Sequence, residues 1–267
     1  MSGRRNCNAK PTENLDAYDL YLRALPSIYA FNEASFRQAE TFLKGAVQQD
    51  PNYSDALAAL ADCVGRMTLN GWINDTQQGY TLACDYARRA IAADPENGLA
   101  LATGAWAFSI FEGNFDQALD LADRALRIFP NSAQVRARTA WAFIYSGDSQ
   151  KGIEQLHEAQ RLSPADPSSF FTRISLAIAH FFQREFDLTV HFGRQVLAEV
   201  PTHNVARRYL AAALAHLDQV DEAQKIIAEL LMAQPSSSLS RARTNKFRHQ
   251  WMMDLYVSGL AKAGLPE

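Results

Sequence analysis

The stretch FDQALDLADRALRIFP, residues 115–130, has the apolar periodicity of an amphipathic helix and ends on a proline. Its apolar face carries small residues where a helix that buries a core is expected to use Leu or Ile: Ala118, Ala122 and Ala125. A second stretch, FDLTVHFGRQVLAEVP at residues 186–201, places three residues at the same offsets from its first phenylalanine: Thr189, Gly193 and Val196. The same pattern is therefore used more than once along the chain.

Prolines mark the repeat. They stand at Pro51, Pro95, Pro130, Pro164, Pro201 and Pro235, with successive differences of 44, 35, 34, 37 and 34 residues. Twelve residues before each proline lies a small residue, namely Ala39, Ala83, Ala118, Gly152, Thr189 and Ala223. Five residues before each proline lies an apolar one, namely Ala46, Ala90, Ala125, Ala159, Val196 and Leu230. Further periodic apolar segments lie upstream, at 54–67, 98–111, 133–146 and 205–217. Each unit is predicted to be two antiparallel helices, the second broken by its proline.

A period of 34 with a small residue in the second helix and a closing proline resembles the tetratricopeptide repeat. The resemblance covers about residues 15–235, although Arg136, Arg173 and Arg207 stand where the consensus tryptophan of the first helix would be. It implies an all-α fold, a right-handed α-solenoid of about six helix-turn-helix repeats. Small residues suit such an array because a larger side chain would push closely crossing helices apart. We attribute the longer first interval to GWINDTQQG, residues 71–79, as an extended turn in the second repeat.

Three segments are predicted along the chain. Residues 1–13 carry Arg4, Arg5 and Lys10 with little apolar content, so they are expected to form a disordered basic N-terminus. Residues 14–235 form the repeat array. Residues 236–267 form a basic turn and a capping helix, which covers the last exposed face of the array and ends near Gly264. The residues expected to provide that cover are Trp251, Leu255 and Leu260.

Composition excludes several classes of function. The chain has 267 residues, 48% of them hydrophobic, and a formal net charge of -3, so it lacks a general electrostatic footprint for nucleic acid. The cysteines Cys7, Cys63 and Cys84 are odd in number and fit no metal or redox spacing, which favours a reducing compartment. The most apolar run, residues 98–111, is shorter than the roughly 18 residues of a spanning helix. We therefore expect a cytoplasmic protein that does not insert into membranes and binds no nucleic acid.

The two ends of the array suggest a closer relationship. NLDAYDLYLRAL, residues 14–25, and GLAKAGLPE, residues 259–267, resemble the borders of the tetratricopeptide region in multidomain adenylate/guanylate cyclases of rhizobia and related bacteria. Similar regions also follow winged-helix regulators. The resemblance implies a regulatory, partner-binding module of a cyclase-linked bacterial signalling system. Two alternatives stay open: a fragment of such a cyclase whose catalytic domain is absent from this chain, and the regulatory region of a winged-helix transcriptional regulator.

No catalytic motif is present. The sequence has no P-loop, no dinucleotide-binding glycine pattern after a strand, no G-x-S-x-G and no H-E-x-x-H, and no position matches the metal-binding aspartates of the cyclases. His180, His191 and His203 fall on different predicted helices at no ligand spacing, so we expect structural or surface roles for them. The carboxylate pairs Asp120 with Asp123 and Asp221 with Glu222 are expected to be solvated. The chain is thus predicted to be a non-enzyme without a cofactor.

The concave surface is the predicted binding site for a protein or peptide partner. In a helix-turn-helix array the first helices line this surface, and aromatic residues and arginine are favoured at interface hot spots. By register, the residues predicted to face the groove are Asp55, Asp62, Arg66, Trp106, Gln134, Trp141, Tyr145, Phe171, Ile178, Phe181 and Arg208.

Two features of this hypothesis have alternatives. Trp106 and Trp141 occupy equivalent positions in adjacent repeats, and they could instead only pack between the repeats. The segment RARTNKFR, residues 241–248, brings together four cations that could grip phosphate or an acidic partner, as in a helical RNA-binding repeat: Arg241, Arg243, Lys246 and Arg248. Its alternative is a solvated capping turn.

Overall fold

The computed structural model describes residues 12–166 and 169–267. The predicted disordered segment, with Arg4, Arg5, Cys7 and Lys10, lies outside them apart from its last two residues. Every regular element in the described ranges is helical, and the helices α1 to α12 form six antiparallel pairs. The pairs are Leu15–Tyr29 with Glu33–Gln49, Ser54–Leu69 with Thr76–Ala93, Gly98–Ala107 with Phe115–Ile128, Ala133–Tyr145 with Ser149–Leu162, Ser169–Phe182 with Phe186–Glu199, and Asn204–His216 with Val220–Ala233. This arrangement confirms a solenoid of helical repeats.

The prolines of the repeat fix the ends of the second helices. Each of the six second helices ends two residues before its proline, as Gln49 does before Pro51 and Ala233 before Pro235. The prediction follows from two effects: proline lacks the N–H that would continue the ladder, and its ring disfavours the α region for the residue before it. Asn14, Asn32, Asp75, Asn97 and Asn114 cap the N-termini of five helices through their side chains.

The small residues of the second helices all lie in the contacts between helices. All six residues twelve positions before the prolines and all six residues five positions before them are buried. At Gly152 in α8, an added Cβ would stand 2.5 Å from Cγ1 of Ile144 and 3.2 Å from the carbonyl oxygen of Ala140, both in α7. The absence of a side chain therefore sets the distance between these two helices.

The second repeat differs from its prediction. The turn between α3 and α4 spans only residues 70–75, and residues 76–79 belong to α4, which is 18 residues long. The side chain of Asp75 accepts a hydrogen bond from the backbone N–H of Gln78 and so starts the helix early. The extra residues are therefore shared between the turn and a longer helix. In the third repeat, α5 continues as a π-helical turn, Phe108–Glu112, which ends at Gly113 with φ of 71°.

Two further helices follow the array, α13 (Leu239–Ala242) and α14 (Gln250–Lys262). The capping helix α14 packs against α11, with Leu255 and Leu260 buried as predicted, whereas Trp251 is 40% exposed. Gly264 has φ of 87°, and Leu265 donates its N–H to the carbonyl of Leu260, which closes the helix as expected. We call residues 236–249, which lead into α14, the C-terminal strap.

Candidate functional site

The inner face of the array is largely a core rather than an open groove. Eight of the eleven residues predicted to face the groove are buried: Asp62, Arg66, Trp106, Trp141, Tyr145, Phe171, Ile178 and Phe181. Asp55 and Arg208 are half-buried, and Gln134 is exposed. Because these side chains are buried, the inner face does not present the open aromatic stripe that we expected. Partner binding by the eleven residues stays a prediction, and we keep it only for the residues that line an accessible cavity.

The two tryptophans show why the stripe is closed. Trp106 packs on Gly65, where an added Cβ would stand 2.5 Å from the indole ring, and its ring meets the edge of Phe111 at 5.1 Å. Trp141 stacks between Tyr145 and Phe171, with ring centroids 5.7 and 5.6 Å away. Both rings therefore lie between neighbouring repeats, as in the packing alternative.

The first and last repeats meet across the inner face. Phe31, which follows α1, stacks on His203 of the sixth repeat with ring centroids 4.8 Å apart. The side chain of Asn204 donates to the carbonyl oxygen of Asn70 at 2.8 Å, and its backbone N–H donates to the Asn70 side chain at 3.0 Å. Since these contacts join residues more than 130 positions apart, the array closes on itself at this edge.

A polar cleft opens on the inner side of the first helices. Its volume is about 100 Å³, and we call it the N-terminal cleft. Four predicted groove residues line it, namely Asp62, Arg66, Gln134 and Phe171. Its walls also contain residues that the sequence analysis did not single out, chiefly Tyr21, Tyr29, Arg138 and Phe170. Arg138 lies one helical turn after Gln134, so the 3.6-residue period could have identified it.

An ion triad forms the floor of the N-terminal cleft. Asp62, 1% exposed, accepts from Nε of Arg66 at 2.9 Å and pairs with Arg138 at 3.3 Å. The Arg66 guanidinium also lies over the Phe171 ring, 4.1 Å from its centroid. Nε of Arg138 is buried and has no hydrogen-bond acceptor in the part of the chain that the structure describes. The triad therefore has two cations to one carboxylate and an N–H without an acceptor, and Asp166 adds a further carboxylate to the lining of the cleft.

Burial governs the ionisation of the groups around the cleft. It lowers the pKa of Arg66, against the opposing effect of Asp62. It also raises the pKa of Tyr21, and the nearby Asp55 carboxylate adds to that effect. Tyr21 therefore presents a neutral hydroxyl at the wall, able to donate or accept a hydrogen bond.

The basic segment of the strap does not form one cationic patch. Arg243 pairs with Glu267 at 2.7 Å and Arg248 with Asp116 at 2.9 Å, while Lys246 lies over Gly113. Arg241 turns inward to a second small cavity beside Arg208. The four charges thus make separate contacts.

The three histidines named above occupy structural positions. His180 lies 2.6 Å from a carboxylate oxygen of Glu185, and His191 contacts Gln195 on its own helix. His203 caps α11 by accepting the N–H of Ala206 at 3.2 Å. The free thiols Cys63 and Cys84 are buried, and burial raises the pKa of both. No helix within the described residues is long and apolar enough to cross a bilayer.

Comparison with known proteins relates part of the sequence and the fold to repeat proteins. Residues 183–245 match the family model of the tetratricopeptide repeat. The human IFIT1 dimer with m7Gppp-AAAA is 15% identical with a TM-score of 0.66, over 88% of this chain and 52% of that one. PilW, a type IV pilus biogenesis factor, is 18% identical with a TM-score of 0.52, over 76% of this chain and 89% of that one. TTC0263, a tetratricopeptide protein of Thermus thermophilus, is 18% identical with a TM-score of 0.53, over 74% of this chain and 98% of that one.

The family model covers residues 183–245, and the solved structures show that the described residues share the fold of tetratricopeptide repeat proteins. The chain spans about half the length of IFIT1, and its likeness to all three structures concerns the fold alone. No curated protein matches the sequence significantly.

Proposed function

We propose that the chain is a non-catalytic interaction module that binds a segment of a partner protein in the N-terminal cleft. The observation that supports the proposal is Arg138, which lines the cleft and whose buried Nε has no acceptor within the described residues. A buried donor without an acceptor costs about 1 to 3 kcal/mol, so an incoming oxygen that accepts from it recovers that cost.

The lining of the cleft indicates the chemistry of the partner segment. Arg138 supplies a donor to a peptide carbonyl or carboxylate oxygen. Tyr29 and Phe170 line the same cleft and offer aromatic surface to an apolar side chain of that segment. We therefore expect an extended peptide with one apolar side chain and an acceptor oxygen beside it.

Selection from a random peptide library on the immobilised chain tests this function. Tyr29 is 38% exposed at the rim, so Tyr29→Ala should leave the fold intact and weaken the selected peptides about tenfold or more, as the truncation of a hot-spot aromatic does. Leu188, 41% exposed on α10 and outside the cleft, provides the matched control Leu188→Ala. Equal affinity of the selected peptides for both variants, or the absence of any selected peptide, would argue against the cleft.

We further propose that the module serves a cyclase-linked bacterial signalling system in the cytoplasm. The support is the sequence resemblance of residues 14–25 and 259–267 to the borders of the cyclase-linked repeats. A purified catalytic domain from one of the resembled cyclases is expected to bind the chain, and the chain alone should form no cyclic nucleotide from ATP or GTP with Mn²⁺. Product in that assay would contradict the non-catalytic role. Binding to a winged-helix regulator instead would favour that alternative.

A further inference from the structure

A second cavity lies where the C-terminal strap crosses α3, α4 and α11. It has a volume of about 30 Å³ and shares no lining residue with the N-terminal cleft. Arg208 of α11 and Arg241 of α13 both line it, with Thr68 and Tyr80 on the side of the array and Ser237 on the strap. Two cations that are 33 positions apart in the sequence are thus brought to one cavity.

Neither arginine has a carboxylate partner among residues 12–166 and 169–267. Arg208 donates to the carbonyl oxygen of Leu69 at 2.8 Å and to Oε1 of Gln234 at 3.2 Å. Arg241 donates to Oγ of Ser236 at 2.9 Å. Burial lowers the pKa of Arg241, and the charge of Arg208 lowers it further. A hydrogen bond also joins Arg208 to the side chain of Tyr256. Each guanidinium carries five N–H donors, so both retain N–H groups for a further acceptor.

The strap adds a buried hydroxyl to this cavity. Ser237 is 5% exposed and lines the cavity, yet its Oγ has no hydrogen-bond partner within the described residues. A buried polar group is normally paired, so an unpaired hydroxyl beside two arginines without a carboxylate partner indicates a missing anionic acceptor.

We propose that a phosphate group, either as the free anion or as the end of a small phosphate ester, binds at this cavity with part of the group in the open solvent. The Ser237 hydroxyl can donate and the two guanidinium groups are cationic, which fits a ligand with only acceptor oxygens and a negative charge. A carboxylate can also accept several hydrogen bonds, but it carries a single negative charge. A phosphate ester carries a charge of about −1.5 to −2 at pH 7 and so matches the two guanidinium groups.

Such a ligand would join the C-terminal strap to the array. Arg241 and Ser237 belong to the strap, whereas Arg208 belongs to the sixth repeat, so a bound phosphate bridges the two. The strap contains four sites for trypsin: Arg241, Arg243, Lys246 and Arg248. The bridge should therefore slow tryptic cleavage within the strap.

The test titrates the full chain with inorganic phosphate. Chloride is lowered as phosphate is added, so that the ionic strength stays constant. Calorimetry measures affinity, and the rate of tryptic cleavage in the strap provides a second readout. We expect saturable binding and slower cleavage with phosphate, about tenfold weaker affinity in Arg241→Gln, and weaker affinity in Ser237→Ala. Arg243→Gln is the matched control, because Arg243 lies in the same segment, has the same charge and pairs with Glu267 outside the cavity.

Three results would overturn the assignment. They are no saturable binding in the millimolar range, an equal loss of affinity in Arg241→Gln and Arg243→Gln, or a Ser237→Ala variant as tight as the wild type. Acetate that binds as tightly as phosphate would overturn the choice of ligand. Comparison of inorganic phosphate with glycerol phosphate then separates the sources: tighter binding of the ester indicates a phosphorylated small molecule, and tighter binding of the free ion indicates inorganic phosphate.

Discussion

Trp106 and Trp141 hold equivalent positions on α5 and α7, and their exposed fractions are 1% and 3%. Each ring fills space between two repeats, so its removal leaves a cavity. We expect Trp106→Ala and Trp141→Ala each to lower the free energy of unfolding by about 3 to 5 kcal/mol. Chemical denaturation of the single variants measures this directly. Unfolding midpoints close to that of the wild type would show that the rings are not packing residues.

The free energy of unfolding depends on pH through His203. Burial, reinforced by the charges of Arg66 and Arg208 and to a smaller extent Arg207, lowers the pKa of His203 from 6.5 to about 3. The folded state therefore keeps the neutral ring, while the unfolded chain takes up a proton as the pH falls below 6.5. The stabilisation from this group is complete above the unfolded value and is lost progressively as the pH falls from there toward the folded value.

The change is measurable against a variant. Between about pH 7 and about pH 5 this one group should remove about 2 kcal/mol of the free energy of unfolding. His203→Asn keeps a side-chain acceptor for the N-cap of α11 and lacks the titrating ring. Denaturant unfolding measures the free energy of unfolding of both proteins at the two pH values. From pH 7 to pH 5 the variant should lose about 2 kcal/mol less than the wild type. Parallel losses in the two proteins would contradict the burial of a neutral histidine.

At the scale of the helices, small residues set the spacing of the repeats. An alanine in place of Gly152 gains helix propensity of roughly 1 kcal/mol, but its Cβ would press on Ile144 and on the Ala140 carbonyl. We expect Gly152→Ala to lower the free energy of unfolding by about 1 to 3 kcal/mol. Gly45→Ala is the control, because its Cβ would meet only the movable Leu20 side chain at 3.2 Å. Stabilisation by both substitutions would show that the α7–α8 contact accommodates a Cβ atom at residue 152 without strain.

The helices also show what the sequence can and cannot predict. Local rules predicted the second helices well, because each proline acts on its own helix and the small residues recur at fixed offsets. The early start of α4 at Thr76 and the π-helical turn at residues 108–112 were not predicted. Apolar periodicity cannot distinguish an extra residue in a turn from one absorbed into a helix. The cap at Asp75 was nevertheless visible as an N-cap residue type.

At the scale of the whole molecule, the C-terminal strap covers the ends of the first helices. Phe247 lies 5.2 Å from Tyr145 and 5.1 Å from Phe182, centroid to centroid, and the N–H of Arg248 donates to the Tyr145 carbonyl at 3.1 Å. The solenoid period predicts an open concave face, but it contains no information on contacts between residues about 100 positions apart. The placement of the candidate site therefore required the three-dimensional structure, although four of its residues were predicted from register.

The strap is expected to contribute to stability. Phe247→Ala removes a half-buried ring from this aromatic cluster and should lower the free energy of unfolding by about 2 kcal/mol. The loss is smaller than for the removal of a fully buried phenylalanine ring. Faster hydrogen exchange should appear in the strap and at the start of α14, while α1 and α2 at the other end of the chain keep their protection. Unchanged exchange in the strap would mean that Phe247 does not hold it in place.

We expect partner segments to enter the N-terminal cleft and not the buried aromatic core along the rest of the inner face. Hydrogen exchange of the chain with and without a peptide selected on it measures this most directly, because it reports each helix separately. We expect new protection in the parts of α1, α3, α7 and α9 that line the cleft, and no change in α11 or α14. Protection confined to α11, α14 or the strap, with the cleft helices unchanged, would contradict it.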